Sequence, residues 1–333
     1  MYEEFFGLRE RPFDLAPNPR YLVLTESHQE ALSNLQYAIG SRKGITLLVG
    51  EAGSGKTTII RAAIEKQPAR VHSVHLNNPT MTRAEFGEML AIKFGLSERA
   101  SRSKAWLLNE LETLLRNRRA RGESSLLVVD EAQSLPLELL EEIRLLANIE
   151  SDDDRLLSVI IAGQPEIAHR LNDQSLRQLK QRVALRCELR PLTLAETISY
   201  IDGRVQEAGG TEQVFEDAAI ELIHERAQGI PRSVSVIADN ALLGGFAAGE
   251  RPVGLEVVRE VCRDFDLAEP QGELRPSNVA RMNAPWAPAP IAQRASGHVS
   301  AAGPSVEPVR QRPSPQMFEG FAPKRKRFSF FGS

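Results

Sequence analysis

Apolar residues in this chain follow two rhythms. Short, nearly unbroken runs occur at Ile45-Thr46-Leu47-Leu48-Val49, Leu126-Leu127-Val128-Val129 and Leu156-Leu157-Ser158-Val159-Ile160-Ile161-Ala162. Such runs read as strands buried on both faces. Val71-His72-Ser73-Val74-His75-Leu76 reads as a further strand. Elsewhere apolar positions recur every three to four residues, which predicts helices over 27–39, 58–64, 82–94, 101–119 and 137–148. Ser27 stands at the N-cap position of the first of these, with Glu30 three residues on. Strands alternating with helices predict an α/β fold, a parallel sheet flanked by helices.

Past the third run the pattern changes. Residues 175–186 read as an amphipathic, arginine-rich helix that ends near Arg190-Pro191. From Pro191 onward no strand rhythm remains. Helices are predicted over 194–207, 215–227, 231–246 and 255–265, joined by glycine-containing turns, which makes a small all-helical domain. The expected organisation is therefore an α/β core over 1–190, a helical domain over 191–265, and a tail over 266–333. Ten of the twenty prolines fall in that tail, which has little apolar periodicity. It is expected to be disordered, because it cannot bury enough apolar area to offset chain entropy. The opening residues 1–24 are too broken for a helix and too apolar for a free end.

Composition excludes more than it identifies. Hydrophobic residues at 42% and charged residues at 26% are ordinary for a globular protein. The net charge is −3. The tail carries +4 of it, so residues 1–265 carry −7 and offer no general attraction to nucleic acid. Cys187 and Cys262 lie far apart without metal spacing and read as small core residues in a reduced compartment. His72 and His75 point to opposite strand faces, poor geometry for one metal ion. No apolar run approaches the ~18 residues a membrane span needs. The acidic start, Met1-Tyr2-Glu3-Glu4, does not suit a signal peptide. The expected location is cytoplasmic.

The chemistry gathers at the ends of two strands. After the first run comes Gly50-Glu51-Ala52-Gly53-Ser54-Gly55-Lys56-Thr57-Thr58, then a helical pattern. Strand, Gly-x-x-x-x-Gly-Lys-Thr loop and helix together predict a phosphate-binding loop. Its glycines let successive N–H groups converge on an anion at the positive end of a helix. Lys56 is placed for the β- and γ-phosphates of ATP, and the Thr57 hydroxyl for Mg²⁺. The second run ends in Asp130-Glu131-Ala132-Gln133. Asp130 is placed to hold Mg²⁺ through water, and Glu131 to orient and deprotonate the attacking water. The third run ends in Gly163-Gln164-Pro165-Glu166. If its strand lies beside that of Asp130, Gln164 falls near the γ-phosphate.

A phosphate-loop core followed by a helical lid is the layout of an AAA+ module. Tyr2-x-x-Phe5-Phe6-Gly7-Leu8 with Pro12-Phe13, the glycine loop, and residues 126–133 resemble ExeA-type ATPases, the general secretion pathway protein A family. So do Glu142-x-Arg144-Leu145-Leu146-x-Asn148-x-Glu150, Gly163-Gln164-Pro165-Glu166 and Gly229-x-Pro231-Arg232. The resemblance covers residues 1–265. It implies an ATP-hydrolysing homo-oligomer, a ring or filament, with Gln164 and Arg232 as sensors of the nucleotide. It also implies an arginine supplied by the neighbouring subunit, for which Arg182 is the first candidate and Arg177 the second. Pro231 suits the first turn of a helix, so Arg232 would stand at a helix N-terminus, where a cation is unfavourable unless an anion is near. The opening segment is expected either to pack along the core or to close over the adenine.

Secretion members of that family continue into a membrane span and a periplasmic domain. This sequence instead ends in Lys324-Arg325-Lys326-Arg327 among Phe318, Phe321, Phe328, Phe330 and Phe331. That end is a candidate contact for a protein partner or the inner face of the cytoplasmic membrane. The expected role is service to a secretion, pilus or envelope-polysaccharide machine. The alternative is a DNA-associated ATPase of the transposition-helper or replication-initiator type, with Arg116, Arg118, Arg119 and Arg121 as a local basic patch.

Overall fold

In a computed structural model, which describes residues 1–14, 24–68, 70–76, 81–150 and 155–265, β1 (Ile45–Gly50) runs inside a parallel sheet. β4 (Ser158–Gly163) and β5 (Val183–Leu189) flank it. β3 (Ser124–Val129) and β2 (Val71–Leu76) complete the order β2-β3-β4-β1-β5. Every residue of β1, β3 and β4 is buried. That is why these strands read as continuous apolar runs rather than as alternations. The register pairs Val49 with Gly163 and Gly50 with Leu189, so the glycine loop leaves the same sheet edge as Gln164. β3 lies beside β4, the condition on which Gln164 approaches the site, and delivers Asp130 to that edge.

Helices cover both faces. On one, α2 (Glu26–Gly40) and α3 (Lys56–Glu65) contribute Leu35, Ile39, Ile59 and Ile60 to a cluster with Leu48, Val128 and Ile160. On the other, α4 (Arg83–Phe94), α5 (Glu98–Arg102), α6 (Lys104–Ala120) and α7 (Leu137–Leu146) pack Phe86, Leu111 and Ile143 against Leu47, Leu127 and Ile161. Thr82 caps α4 through a reciprocal bond set with Glu85. α8 (Pro165–Arg170) and α9 (Arg177–Arg182) link β4 to β5.

Three local readings need correction. The N-cap of α2 is Thr25, whose Oγ1 accepts from the His28 N–H, and Ser27 lies inside the first turn. The span 101–119 is two helices, because Ser103 adopts an extended conformation between α5 and α6. The span 175–186 is helical only as far as Arg182, through a 3₁₀ turn and α9; β5 begins at Val183. Arg182, Arg186 and Arg190 stand four apart and imitate a helix face. The same charges also fit an edge strand, where Arg186 and Glu188 face solvent while Cys187 and Leu189 are buried.

From Leu194 the described residues form four helices, α10 (Leu194–Glu207), α11 (Asp217–Ala227), α12 (Pro231–Ala248) and α13 (Leu255–Asp264), with a single parallel bridge between Phe215 and Val253 in their connections. Their cluster also takes in Phe6, Leu8 and Phe13 of the opening segment, and Tyr2 from α1 (Tyr2–Phe5), a single helical turn where the broken apolar pattern predicts none. The Phe13 and Phe215 rings lie 6.2 Å apart, and Tyr2 donates to Asp239 Oδ1 at 2.5 Å. The Arg9 N–H donates to the Ala208 carbonyl at 2.7 Å. Residues 1–14 are thus packed, and their host is the helical cluster rather than the sheet. Cys187 and Cys262 are both buried. Among the described residues no helix is long and apolar enough to cross a membrane. The proline-rich tail and residues 15–23 of the opening segment lie outside the described residues.

Candidate functional site

The glycine loop leaves β1 and turns back into α3. Gly53 and Gly55 take φ of +83° and +95°, the left-handed region that favours glycine. A Cβ on Gly50 would fall 2.6 Å from Ser54 Oγ, so the loop closes tightly only without a side chain there. Lys56 is buried, and its ammonium donates to the carbonyls of Gly50 at 2.9 Å and Glu51 at 3.0 Å. Burial pushes its pKa down, while the carboxylates of Glu131, Asp130 and Glu51 pull it upward. Those three carboxylates therefore share the lysine's electrostatic surroundings. Glu51 and Ala52 are exposed at the loop tip, and Thr57 and Thr58 are half-buried on the first turn of α3.

Thr57 Oγ1 donates to Asp130 Oδ2 at 2.8 Å, although the two residues come from different strand–helix units. Adjacent ligands of an octahedral Mg²⁺ stand about 3 Å apart when the metal–oxygen distance is near 2.1 Å. The two oxygens are thus close enough together to serve one such ion. Asp130 Oδ1 accepts from the Glu131 N–H at 3.0 Å, which fixes the carboxylate plane. Ser54 Oγ is buried without a hydrogen-bond partner, a polar atom at the base of the loop. The residues present suit a nucleoside triphosphate with its magnesium ion.

Beyond the metal-binding candidates, Glu131 stands at φ +51°, at the start of a 3₁₀ turn over Ala132–Ser134. Gln164 caps α8, and its backbone N–H donates to Gln133 Oε1 at 3.1 Å. Arg232 is the second residue of α12, exposed, and its N–H donates to the Gly53 carbonyl at 3.2 Å. Lysine, carboxylates, Gln164 and Arg232 thus converge on one sheet edge. Arg182 does not join them. It precedes Val183, which pairs with Ile45 at the opposite end of β1, and it lies 4.0 Å from Glu150. Arg177 starts the same short helix.

Three residues with no expected role also stand at the site. His28, buried on α2, bonds Thr25 Oγ1 at 2.7 Å and the Ser54 carbonyl at 3.1 Å. Gln133 and Arg170 hold the turn after Asp130. Gln133 lies within the quoted run 126–133, whereas nothing in the sequence singles out His28 or Arg170. The basic end of α6 is internally engaged: Arg116 pairs with Glu112, Arg121 with Glu123, and Arg118 lies over the Phe94 ring. His72 pairs with Glu123 at 2.9 Å, a structural use.

Residues 39–171 match an AAA domain. General secretion pathway protein A of Aeromonas hydrophila is 37% identical over 253 residues, covering 76% of this chain and 46% of the relative. The chain carries an AAA domain of the general secretion pathway protein A type. It spans about half the length of that relative. The ATP-dependent target DNA activator B of Escherichia phage Mu is 23% identical over 258 residues, covering 75% of each. Among solved structures, the Aeropyrum pernix ORC2 protein is similar at 19% identity with a TM-score of 0.58, covering 77% of this chain and 71% of that one. That likeness supports the AAA fold, with its helix-flanked parallel sheet.

Proposed function

We propose that this chain binds MgATP at residues 50–58 and hydrolyses it as an oligomeric switch or motor serving a secretion or other envelope machine. The observation that carries the reading is the 2.8 Å pairing of Thr57 with Asp130 beside the buried Lys56. In this reading Lys56 neutralises the β- and γ-phosphates, and Thr57 and Asp130 hold Mg²⁺, which stabilises charge on the transferring phosphoryl group. Glu131 takes the proton of the attacking water, Gln164 faces the γ-phosphate, and Arg232 brings the helical lid of residues 191–265 to the same group. Arg182 completes the site of a neighbouring subunit. The similarity to general secretion pathway protein A supports the envelope role, exercised from the cytoplasmic face, with a protein partner and the basic, aromatic end as a membrane contact.

A second reading is DNA-associated action. It is favoured by similarity to the phage Mu activator across three quarters of both chains. The charge of −7 on residues 1–265 and the internal pairing of Arg116 and Arg121 weigh against it. Steady-state ATP hydrolysis over a range of protein concentrations, with and without duplex DNA and with Glu131→Gln as the blank, separates the two. A specific activity that rises with concentration and ignores DNA is the expected result. Strong stimulation by DNA would overturn the first reading.

A further inference from the structure

The Gln133 side-chain amide bridges two parts of the site. Its Nε2 donates to Glu131 Oε2 at 2.6 Å, and its Oε1 accepts from the Gln164 backbone N–H at 3.1 Å. Only one orientation of the amide serves both partners, because a backbone N–H only donates and a carboxylate only accepts. Gly163 leaves room for it: a Cβ there would fall 2.7 Å from Gln133 Oε1. The turn that carries Gln133 is tied down separately. Arg170, on α8, donates to the Gln133 carbonyl at 2.5 Å and to the Leu135 carbonyl at 2.8 Å. At the start of this turn Glu131 occupies a left-handed conformation, which a non-glycine residue keeps only where its surroundings hold it.

We propose that Gln133 is a positioning residue: it sets the Glu131 carboxylate for proton transfer and couples it mechanically to the backbone of Gln164. The inference rests on the reading of Glu131 as the base. A general base works only when held within hydrogen-bond reach of its proton, and a glutamate side chain left free must be ordered anew in each turnover. Gln133 removes that freedom. Because the same amide holds the Gln164 N–H, movement of Gln164 towards or away from a γ-phosphate is passed to the carboxylate.

The test is steady-state MgATP hydrolysis by the full chain and four variants: Gln133→Glu, Gln133→Met, Gln164→Ala and the double variant Gln133→Met/Gln164→Ala. Gln133→Glu keeps the acceptor for the Gln164 N–H and sets a like charge against Glu131. The expected result is a kcat lowered about 10- to 100-fold in both Gln133 variants. KM should stay within about 2-fold, since Lys56, Thr57 and Asp130 are untouched. The double variant is expected to lose about as much as the worse single one, because the two residues act as a unit. Wild-type kcat in Gln133→Glu, or losses that multiply in the double variant, would overturn the inference while leaving the ATPase reading intact. Nucleotide binding lost in step with kcat would also overturn it. An unmodified chain that binds MgATP without turnover would overturn both.

Discussion

The N–H of Arg232 donates to the carbonyl of Gly53 at 3.2 Å, so the first turn of α12 rests on the glycine loop. The approach is close enough that a Cβ on Gly53 would lie 2.5 Å from the Arg232 Cβ. Pro231 makes this geometry available, since it starts the helix at a position where an N–H would lack a partner anyway. The helical part of the chain therefore touches the loop through backbone, and the arginine side chain is left for chemistry. Arg232→Ala is expected to keep nucleotide binding within a few-fold and lower turnover by about 10-fold or more. Gly53→Ala should instead weaken binding, because it strains a φ of +83° and forces α12 away. Isothermal titration with a non-hydrolysable ATP analogue, paired with turnover, distinguishes the two; equal effects on binding would sink the division of roles.

Lys56 and Glu131 differ in the same way. Lys56→Ala should abolish ATP binding, because it removes the buried cation of the loop. Glu131→Gln should bind ATP, lose about 100-fold or more in turnover, and accumulate as the nucleotide-bound oligomer. Size-exclusion chromatography with ATP reads the last point. Wild-type turnover in Glu131→Gln would remove Glu131 from its role as base.

How far the sequence reached depends on whether a feature is local. The glycine loop and the Asp130-Glu131 pair follow buried runs within a few residues, so strand, turn and chemistry are written contiguously. β5 escaped because its charges at every second residue also fall at helical spacing, and only pairing with β1 decides between the two. The host of Phe6 and Phe13 escaped for a similar reason: an aromatic opening announces burial but not its partner. Gln133, Arg170 and His28 act through contacts between elements distant in sequence. Gln133 to Gln164 spans 31 positions and His28 to Ser54 spans 26, and no periodicity encodes either.

His28 gives the phosphate loop an acid limit. Burial lowers its pKa below the ordinary 6.5, and its bond to the Ser54 carbonyl only partly opposes that shift. With the folded pKa below the unfolded one, the stability tied to neutral His28 is fully present above about pH 6.5. As pH falls from there through the depressed folded value, the unfolded chain takes up the proton first and that stability is lost. Thermal midpoints measured from pH 7.5 to 5 should fall less steeply in His28→Gln than in the unaltered protein. Parallel slopes would show that the imidazole is not what titrates.

Phe6 ties the opening segment to the helical cluster at 1% exposure, with its ring edge-on to Phe5 at 4.8 Å. Phe6→Ala should cost about 3–5 kcal/mol, the usual range for emptying a buried phenylalanine site. In urea the unfolding midpoint should drop accordingly, and helical signal should be lost with it. A change below about 1 kcal/mol would mean that residues 1–14 leave the cluster readily in solution.

The position of Arg182 makes a prediction about assembly. Val183 pairs with Ile45 and Leu189 with Gly50, so Arg182 and the glycine loop stand at opposite ends of the same strand pair. At about 3.3 Å per residue the separation is roughly 20 Å, beyond the reach of one side chain. If Arg182 acts in hydrolysis, it must act on the loop of another copy. Lys56→Ala and Arg182→Ala should each be inactive alone. Mixed in equal amounts at a concentration where the chains associate, they should recover activity. In a head-to-tail assembly about a quarter of the contacts then join an intact loop to an intact arginine. No recovery in a mixture shown by light scattering to co-assemble would exclude Arg182 as the completing residue and turn the search to Arg177.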